Sequence, residues 1–272
     1  MLPRQKTSLI LIGPIIIKRF HLFEFCDQPW VKGWMREGFM DCLATMYRFS
    51  NPYGKFSEYI LENLHEDTVY DLATGTGESI EPFLKFLHEH HTDHDIKIIG
   101  TDLFPNPEIL THIKGQYPHF DYIEHPINAL NPPEGDNASY LMFTGFHHFK
   151  PDEATAMIQT CLSKGKSLTI LELTRRYGLF SYIFSVLSVF ILMPTPFFAK
   201  KWRWQKFVFS LIPVIPFMVG FDGVVSNLRT YTKTELEQLA QNAFPTKTIK
   251  VEFQQRRYGL LFKSYICRFS ID

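Results

Sequence analysis

The chain has 272 residues, of which 45% are apolar and 21% charged. This composition supplies a substantial core and excludes a disordered chain, and the length fits one large α/β domain with an elaboration or two small domains. Lysine plus arginine equals aspartate plus glutamate at 28 each, so no global positive field would attract a nucleic-acid partner.

The amino-terminal 25 residues begin like a secretory signal, with two cations ahead of an apolar run at 8–17. Pro14 interrupts this run, Lys18 and Arg19 follow it, and no A-x-A cleavage pattern is present. We therefore expect a cytoplasmic protein. The four cysteines form no C-x-x-C pair, so we expect reduced thiols and assign no residue to a metal.

Residues 27–65 show a helical pattern, with Asp27 as a predicted N-cap and Pro29 in the first turn. The sequence Asn-Pro-Tyr-Gly at 51–54 predicts a turn between two helices. We expect residues 1–67 to form an N-terminal helical segment that covers the active site of a second unit, 68–272.

From residue 68 onward, short apolar runs alternate with amphipathic helical stretches. The predicted strands are 68–73, 96–103, 120–127, 139–144 and 167–173, and the predicted helices are 79–90, 107–116 and 151–163. The pattern resumes at the end with a helix over 232–243 and two strands near 247–254 and 260–269. Alternation of this kind predicts an α/β fold with a seven-stranded, doubly wound, mostly parallel sheet and an antiparallel terminal strand.

A glycine turn follows the first predicted strand, in the sequence Asp-Leu-Ala-Thr-Gly-Thr-Gly at 71–77. Glycines at this place allow close approach to a nucleotide-type ligand. The third glycine of a dinucleotide fingerprint is absent, because residue 80 is isoleucine. The Asp71 carboxylate would repel a pyrophosphate but suits an ammonium and a sulfonium. These residues favour S-adenosylmethionine (SAM) over NAD.

The second predicted strand ends near Asp102, beside the glycine turn. A carboxylate at this location can accept hydrogen bonds from both hydroxyl groups of a ribose. Asp102 is therefore the predicted ribose ligand.

With these residues the chain resembles the class I SAM-dependent methyltransferases, whose first motif is D-L-x-x-G-x-G and whose second strand ends in an acidic residue. The resemblance implies a Rossmann-like fold with S-adenosyl-L-methionine as cofactor. It implies that Asp71, Ala73, Gly75 and Gly77 line the methionine end, that Asp102 holds the ribose, that Leu103 packs on the adenine, and that Asn128 lies near the adenine amino group. An acidic residue is commoner at the position of Asn128.

The fourth predicted strand ends in Thr-Gly-Phe-His-His at 144–148, beside the position where the family places the methyl group. Thr144 is therefore assigned to the cofactor site. A neutral imidazole of His147 or His148 could take a proton from an acceptor hydroxyl or amine. The alternative is that both histidines only shape the pocket.

The chain looks closer still to a bacterial subgroup of these enzymes, which adds no acceptor. The features that carry this resemblance are 27–30 with Arg36, 146–149 and 222–231. Trp30, Arg229 and Tyr231 are the predicted substrate-binding residues. Arg229 and Tyr231 could orient an acceptor, or they could fasten an inserted segment to the catalytic domain.

That insert, at about 175–230, is apolar and aromatic, and 177–199 contains no Asp, Glu, Lys or Arg. Three interpretations are open: a helical lid over a hydrophobic or planar acceptor, helices buried on the core, or peripheral membrane contact. The cationic, tryptophan-bearing link 200–206 suits a lipid headgroup region.

Taken together, the sequence predicts a SAM-dependent methyltransferase that acts on a small, largely hydrophobic acceptor through oxygen, nitrogen or carbon attack. The alternative is a catalytically silent protein with the same fold, whose apolar insert mediates membrane or partner binding. An NAD-dependent reductase is a further rival. The sequence predicts no oligomeric state.

Overall fold

The fold was analysed in a computed structural model, which describes residues 18–90, 96–135, 137–199, 202–258 and 262–271. The signal-like run at 8–17 lies outside the described residues, as do Lys200 and Lys201 of the cationic link.

Seven strands form one sheet. Their bounds are β1 Thr68–Leu72, β2 Lys97–Thr101, β3 Phe120–Tyr122, β4 Ala138–Phe143, β5 Ser167–Glu172, β6 Ile249–Tyr258 and β7 Phe262–Ile271. The strand order is β3-β2-β1-β4-β5-β7-β6, and β7 runs antiparallel to both of its neighbours while the other pairs are parallel. The predicted seven-stranded, mostly parallel sheet is confirmed. β3 ends at Tyr122, earlier than the predicted end at residue 127.

Helices connect and flank the strands. They are α1 Trp34–Ser50, α2 Ser57–Glu62, α3 Glu81–His90, α4 Pro107–Gln116, α5 Pro151–Lys164, α6 Leu179–Ile191, α7 Trp204–Leu211, α8 Val214–Arg229 and α9 Lys233–Ala243. Helix α9 begins with the capping box formed by Thr232 and Glu235. A short 3-10 helix, Phe146–His148, follows β4.

The predicted N-cap at Asp27 is wrong, because the first described helix begins at Trp34 after Gly33, whose φ is 57°. The Asp27 carboxylate instead accepts hydrogen bonds from His148 and Arg229. These contacts with distant parts of the chain compete successfully with the local cap. The predicted turn at 51–54 is confirmed, and Asn51 ends α1 with φ 37°.

The sheet is packed on both faces, as the alternation of its side chains requires. In β4, Leu141 and Phe143 face a core that includes residues of α2, α3 and α4, whereas Tyr140 and Met142 face a core that includes residues of α5 and α9. The crossovers therefore cover both faces, and the carboxyl ends of β1, β2 and β4 meet at one edge.

The insert between β5 and α9 forms helices α6 to α8, of which α7 and α8 pack on α1 while α6 packs on α8. A third core cluster joins Val31 and Phe39 to Ile215 and Val219. Buried Lys206 of α7 adds an ion pair, with Nζ 2.7 Å from Asp41 of α1. The insert and the amino-terminal helices are thus one packed layer. The division into units 1–67 and 68–272 stays a prediction.

Candidate active site

The turn after β1 contains three residues with positive φ. Ala73, Gly75 and Gly77 have φ of 63°, 59° and 84°. A side chain at residue 77 would collide with Ile113 of α4. Glycine meets both demands, because it has no Cβ and adopts positive φ without strain. The backbone can therefore turn tightly at the carboxyl end of β1.

Asp102, which directly follows β2, is joined to this turn by a hydrogen bond. Its Oδ2 accepts the Gly75 N–H at 2.8 Å, and its Oδ1 accepts the Phe104 N–H at 2.7 Å. Each carboxylate oxygen can accept two hydrogen bonds, so each oxygen of Asp102 can still accept one more. The carboxylate is held in one orientation and can still accept the two hydroxyl hydrogens of a ribose.

Asp71 lies directly below the turn and is fully buried. Neither of its carboxylate oxygens has a hydrogen-bond partner within the described ranges. Burial, together with the negative charge of Asp102, raises its pKa from 3.8 to about 8. A buried carboxyl group of this kind is costly unless a partner reaches it. An ammonium group would be such a partner, so the residues present fit SAM.

Leu103 and Asn128 flank the end of β2. Leu103 is 49% exposed, and with neighbouring Phe104 it forms an apolar edge beside Asp102. The Ile127 N–H donates to the Asp102 backbone carbonyl at 2.8 Å, which places the exposed Asn128 at the same edge of the sheet. The structure thus brings the predicted cofactor residues of β1, β2 and the loop after β3 together. Their individual roles stay predictions.

Thr144 follows β4 and has φ 50°. Its hydroxyl group forms a hydrogen bond of 2.9 Å with the hydroxyl of buried Tyr53. The carboxyl ends of β1 and β2, with Asp71, Asp102 and the glycine turn, are called the cofactor edge below, after the prediction made for them. Thr144 also lines a large cavity, so it lies between this edge and that cavity.

His147 is buried beside Glu172, the last residue of β5. Because a carboxylate only accepts, the imidazole Nδ1 donates to Glu172 Oε2 at 2.8 Å, and the His147 backbone N–H donates to Oε1 at 3.1 Å. Nε2 is left as the acceptor nitrogen and has no hydrogen-bond partner among the residues that the structure describes. Glu24 Oε1 lies 4.0 Å from it. This arrangement can take up a proton at Nε2.

His148 has different surroundings from His147. Its Nδ1 is 2.8 Å from Asp27 Oδ1 and 3.4 Å from Glu24 Oε2. Burial lowers its pKa, but the hydrogen bond to Asp27 and the charges of Glu24 and Asp27 outweigh burial, so the pKa lies above its usual 6.5. His148 is therefore tied to the amino-terminal segment by its ring nitrogen.

A cavity of about 700 Å³ lies between α1, the ends of β4 and β5, and the insert. Glu24, His147, His148 and Asp222 are ionisable residues among those that line it, together with serine, threonine and asparagine residues of α6, α8 and neighbouring loops. Most of the remaining wall is apolar, from Phe39, Leu43, Met46, Phe184, Ile191, Leu192 and Val219. A pocket of this size with few polar groups fits a small, largely apolar molecule.

None of the three predicted substrate residues lines this cavity. Trp30 is 55% exposed and packs edge-on against Phe25. Buried Arg229 donates to the Leu22 carbonyl and to Asp27, and the Tyr231 hydroxyl donates to the Phe149 carbonyl at 2.8 Å. Arg229 and Tyr231 thus fasten the end of the insert to the amino-terminal segment and to the loop after β4.

Sequence reasoning missed Glu172, Glu24 and Tyr53. Glu172 is the penultimate residue of the predicted strand 167–173, next to the strand that precedes the histidines, and a charged residue at that position was a usable signal. Glu24 and Tyr53 are distant in sequence from the strand ends, so only the packing of the amino-terminal segment reveals them.

No protein-family model and no curated protein matches the sequence. Solved structures do match it in fold. Human N-acetylserotonin methyltransferase, solved with SAM, has a TM-score of 0.51 at 13% identity, with 88% of this chain and 57% of that chain covered. A plantazolicin methyltransferase solved with S-adenosylhomocysteine has a TM-score of 0.54 at 11% identity, with 89% and 92% covered.

A putative O-methyltransferase from Nostoc punctiforme has a TM-score of 0.51 at 14% identity, with 86% of this chain and 60% of that chain covered. The chain therefore spans less than two thirds of the human and Nostoc proteins. The likeness establishes the fold, which is the Rossmann-like fold of class I SAM-dependent methyltransferases, as the sequence predicts.

Proposed function

We propose that this protein is a SAM-dependent methyltransferase that methylates a small, largely hydrophobic acceptor on an oxygen or nitrogen atom. The buried His147–Glu172 pair carries the proposal, because His147 is one of the residues that line the cavity and its hydrogen bond to Glu172 leaves Nε2 as the acceptor nitrogen. Neighbours with this fold were solved with SAM or S-adenosylhomocysteine, which supports the same cofactor here.

The cofactor would be held by residues at the carboxyl ends of β1 and β2. Asp71 would accept the ammonium group, Gly75 and Gly77 would allow the backbone to approach it, and Asp102 would accept both ribose hydroxyl groups. Leu103 and Asn128 would border the adenine. When bound, SAM supplies an electrophilic methyl group on a positively charged sulfur.

His147 would act as the general base. Glu172 holds the imidazole with hydrogen on Nδ1, so Nε2 could receive the proton of an acceptor hydroxyl or amine. SAM would supply the methyl group to that atom and leave as S-adenosylhomocysteine when its carbon–sulfur bond breaks. The proton then makes the ring positive, and Glu172 and Glu24 stabilise that charge. The apolar walls exclude water and orient the acceptor, which is the larger part of catalysis in a direct transfer.

The acceptor would reach the cavity through the insert, and helix α6 carries this argument. Ser181, Phe184 and Ser188 of α6 line the cavity. Its opposite face is exposed and apolar, at Leu179, Ile183, Val186, Leu187 and Phe190. A helix that is apolar on the outside and borders a hydrophobic cavity on the inside favours an acceptor that dissolves in lipid.

The outer face of α6 would accordingly lie on a lipid bilayer. Phe197, Phe198, Trp202 and Trp204 extend the exposed apolar surface, and Arg203 lies between the two tryptophans. Tryptophan beside cationic residues suits the headgroup region. In the part of the chain that the structure describes, no single helix is long and apolar enough to cross a membrane. The pair α7 and α8, which is bent by 65°, is long and apolar enough when the two helices are taken together.

Calorimetric titration of the full chain with SAM, S-adenosylhomocysteine and NAD tests the cofactor. We expect micromolar binding of the first two and none of NAD. Asp102→Ala should weaken SAM binding by more than about tenfold, since a hydrogen bond to a charged group contributes about 1.5–3 kcal/mol. Absence of SAM and S-adenosylhomocysteine binding would favour the catalytically silent alternative, and tight NAD binding would favour a reductase.

A further inference from the structure

Four side-chain atoms of different residues converge where the amino-terminal segment meets the turn after β4. They are Glu24 Oε2, Cys26 Sγ, Asp27 Oδ1 and His148 Nδ1, and all lie within 4.8 Å of one another. Cys26 Sγ is 3.6 Å from the Glu24 oxygen and 4.0 Å from the Asp27 oxygen, and His148 Nδ1 is 3.4 Å and 2.8 Å from the same two oxygens.

The four atoms are close enough together to surround one metal ion, and two of the separations, 3.4 Å and 3.6 Å, lie in the range found between the ligands of a tetrahedral zinc ion. The other two, 2.8 Å and 4.0 Å, lie on either side of that range. Zinc bonds of about 2.0–2.3 Å in tetrahedral geometry place the ligand atoms about 3.3–3.8 Å apart. We propose that Glu24, Cys26, Asp27 and His148 form a Zn²⁺ site. A thiolate and an imidazole beside two carboxylates favour zinc over Mg²⁺ or Ca²⁺, which prefer oxygen ligands alone.

The other oxygen of each carboxylate is already occupied, as second-shell contacts at metal sites require. Glu24 Oε1 accepts from the Ser226 hydroxyl at 3.0 Å and lies 3.4 Å from Arg229 Nη1. Asp27 Oδ2 accepts from the same Arg229 nitrogen at 2.9 Å. Glu24 Oε1 and Asp27 Oδ2 are thus held by residues of the insert. The second oxygen of each carboxylate, Glu24 Oε2 and Asp27 Oδ1, is turned toward Cys26 and His148.

The backbone of this segment is held in place as well. The Asp222 carboxylate accepts the backbone N–H groups of Phe25 and Cys26 at 2.7 Å and 2.9 Å. Arg36 Nη1 donates to the Cys26 carbonyl at 3.0 Å. The backbone of residues 25 and 26 is therefore positioned by hydrogen bonds that do not involve the ligand atoms. Arg229 Nη1 also lies 3.3 Å from His148 Nδ1, a contact that an ion bound to this nitrogen would replace.

An independent observation at the same place is the unpartnered nitrogen of His147. Its side chain is 2% exposed, Nε2 lies 4.0 Å from Glu24 Oε1, and the two histidine ring centroids are 4.3 Å apart. A water or acceptor oxygen bound to the ion would supply the partner that Nε2 lacks within the described ranges.

The charges also balance. Two carboxylates and a thiolate carry three negative charges, which Zn²⁺ and the Arg229 guanidinium neutralise together. Binding releases the thiol proton of Cys26 and the hydrogen between His148 and Asp27 to the solvent. The ion would fasten residues 24–27 to the turn after β4 at the cavity wall, and this inference does not depend on methyl transfer.

Titration of the zinc-free full chain with Co²⁺ and Zn²⁺ tests the site. We expect one equivalent of Co²⁺ to give a thiolate-to-cobalt charge-transfer absorption, which Zn²⁺ abolishes, and zinc to raise the melting temperature. Cys26→Ala should lose the absorption and weaken Zn²⁺ binding by at least about tenfold. Cys42→Ala, a buried cysteine of α1, is the matched control and should keep both.

Stoichiometric binding that Cys26→Ala leaves unchanged, or the absence of stoichiometric binding in the wild type, would overturn the proposal. If Cys26→Ala does not fold by circular dichroism, Asp27→Asn serves with the same readouts. Calorimetry with SAM on the zinc-free and zinc-loaded protein separates the two proposals, since either the cofactor or the metal can fail to bind without the other.

Discussion

At the scale of single residues, two buried acidic groups have opposite relationships to their surroundings. Glu172 accepts two hydrogen bonds from His147. Asp71 accepts none through its side chain within the described residues. The first is already paired with the group that it orients, whereas the second is placed for a ligand. Removal of the charge at Asp71 should therefore stabilise the unliganded protein, whereas removal of the charge at Glu172 should destabilise it.

Asp71→Asn should stabilise the unliganded protein and weaken SAM binding. The folded-state pKa of about 8 lies above the ordinary 3.8, so the native state binds more protons and its stability falls as pH rises from about 4 through 8. In the variant, the free energy of unfolding should no longer decrease over this pH range for this reason. Thermal unfolding from pH 5 to 9 measures it.

Asp121→Asn is the control for that measurement. The hydrogen bond to Lys114 lowers the pKa of this partly exposed carboxyl group, so any stability that it contributes is lost as pH falls. A pH profile of Asp71→Asn that matches the wild type would contradict the role given to Asp71.

His147→Ala and Glu172→Gln should each lower kcat for a hydroxyl acceptor by about 10²–10⁴-fold if His147 is the base. SAM affinity should change little, because neither residue lies at the cofactor edge. Steady-state rates together with SAM calorimetry separate the two effects. Full turnover in His147→Ala would leave this histidine with a shaping role only.

At the scale of elements, the close approach of α6 and α8 determines the shape of the cavity. A Cβ at Gly220 of α8 would lie 2.6 Å from the Ser185 carbonyl oxygen of α6. No rotamer can relieve that contact, since both atoms are fixed by the two backbones. The helices can meet at this distance only because residue 220 has no side chain.

Gly220→Ala should therefore separate the two helices and destabilise the protein by about 1–3 kcal/mol. Gly115→Ala in α4 is the matched control, because a Cβ there meets nothing within 4 Å. The control should be neutral or stabilising by about 0.5–1 kcal/mol. Urea denaturation compares the two, and an equal free energy of unfolding in both would show that α6 and α8 are not in contact.

At the scale of the whole molecule, the insert carries an exposed apolar surface that is not part of the packing around the sheet. Leu179, Val186 and Phe190 of that surface are 70%, 58% and 66% exposed. Continuous apolar exposure of this extent marks a surface that contacts a membrane or another protein.

The wild type should float with phospholipid vesicles in a density gradient, and the double variant Leu179→Ser with Phe190→Ser should not, because burial of apolar area drives interfacial binding. Phe104→Ser, at an exposed aromatic residue in the loop after β2 and outside the insert, should still float. Sedimentation without lipid reports self-association, and a dimer that the double variant abolishes, without flotation of the wild type, would assign the surface to a second copy.

The sequence by itself determined the elements whose signal is local. Alternating strands and helices predicted the sheet, and the glycine turn with Asp71 and Asp102 predicted the cofactor edge, because neighbours along the chain create both patterns. The predicted helix over 107–116 has the same bounds as α4, because a proline at its first position is a local signal as well. The structure brings these predicted residues together at one edge of the sheet.

Only the tertiary structure decided which charged groups meet. Asp27 resembles an N-cap in the sequence, yet its carboxylate binds His148 and Arg229, which are distant along the chain. For the same reason the sequence could not separate the roles of His147 and His148, since Glu172 and Glu24 approach them through the packing of other elements. Local patterns follow from the periodicity of backbone hydrogen bonding, whereas ion pairs depend on the positions that the folded core gives to remote segments.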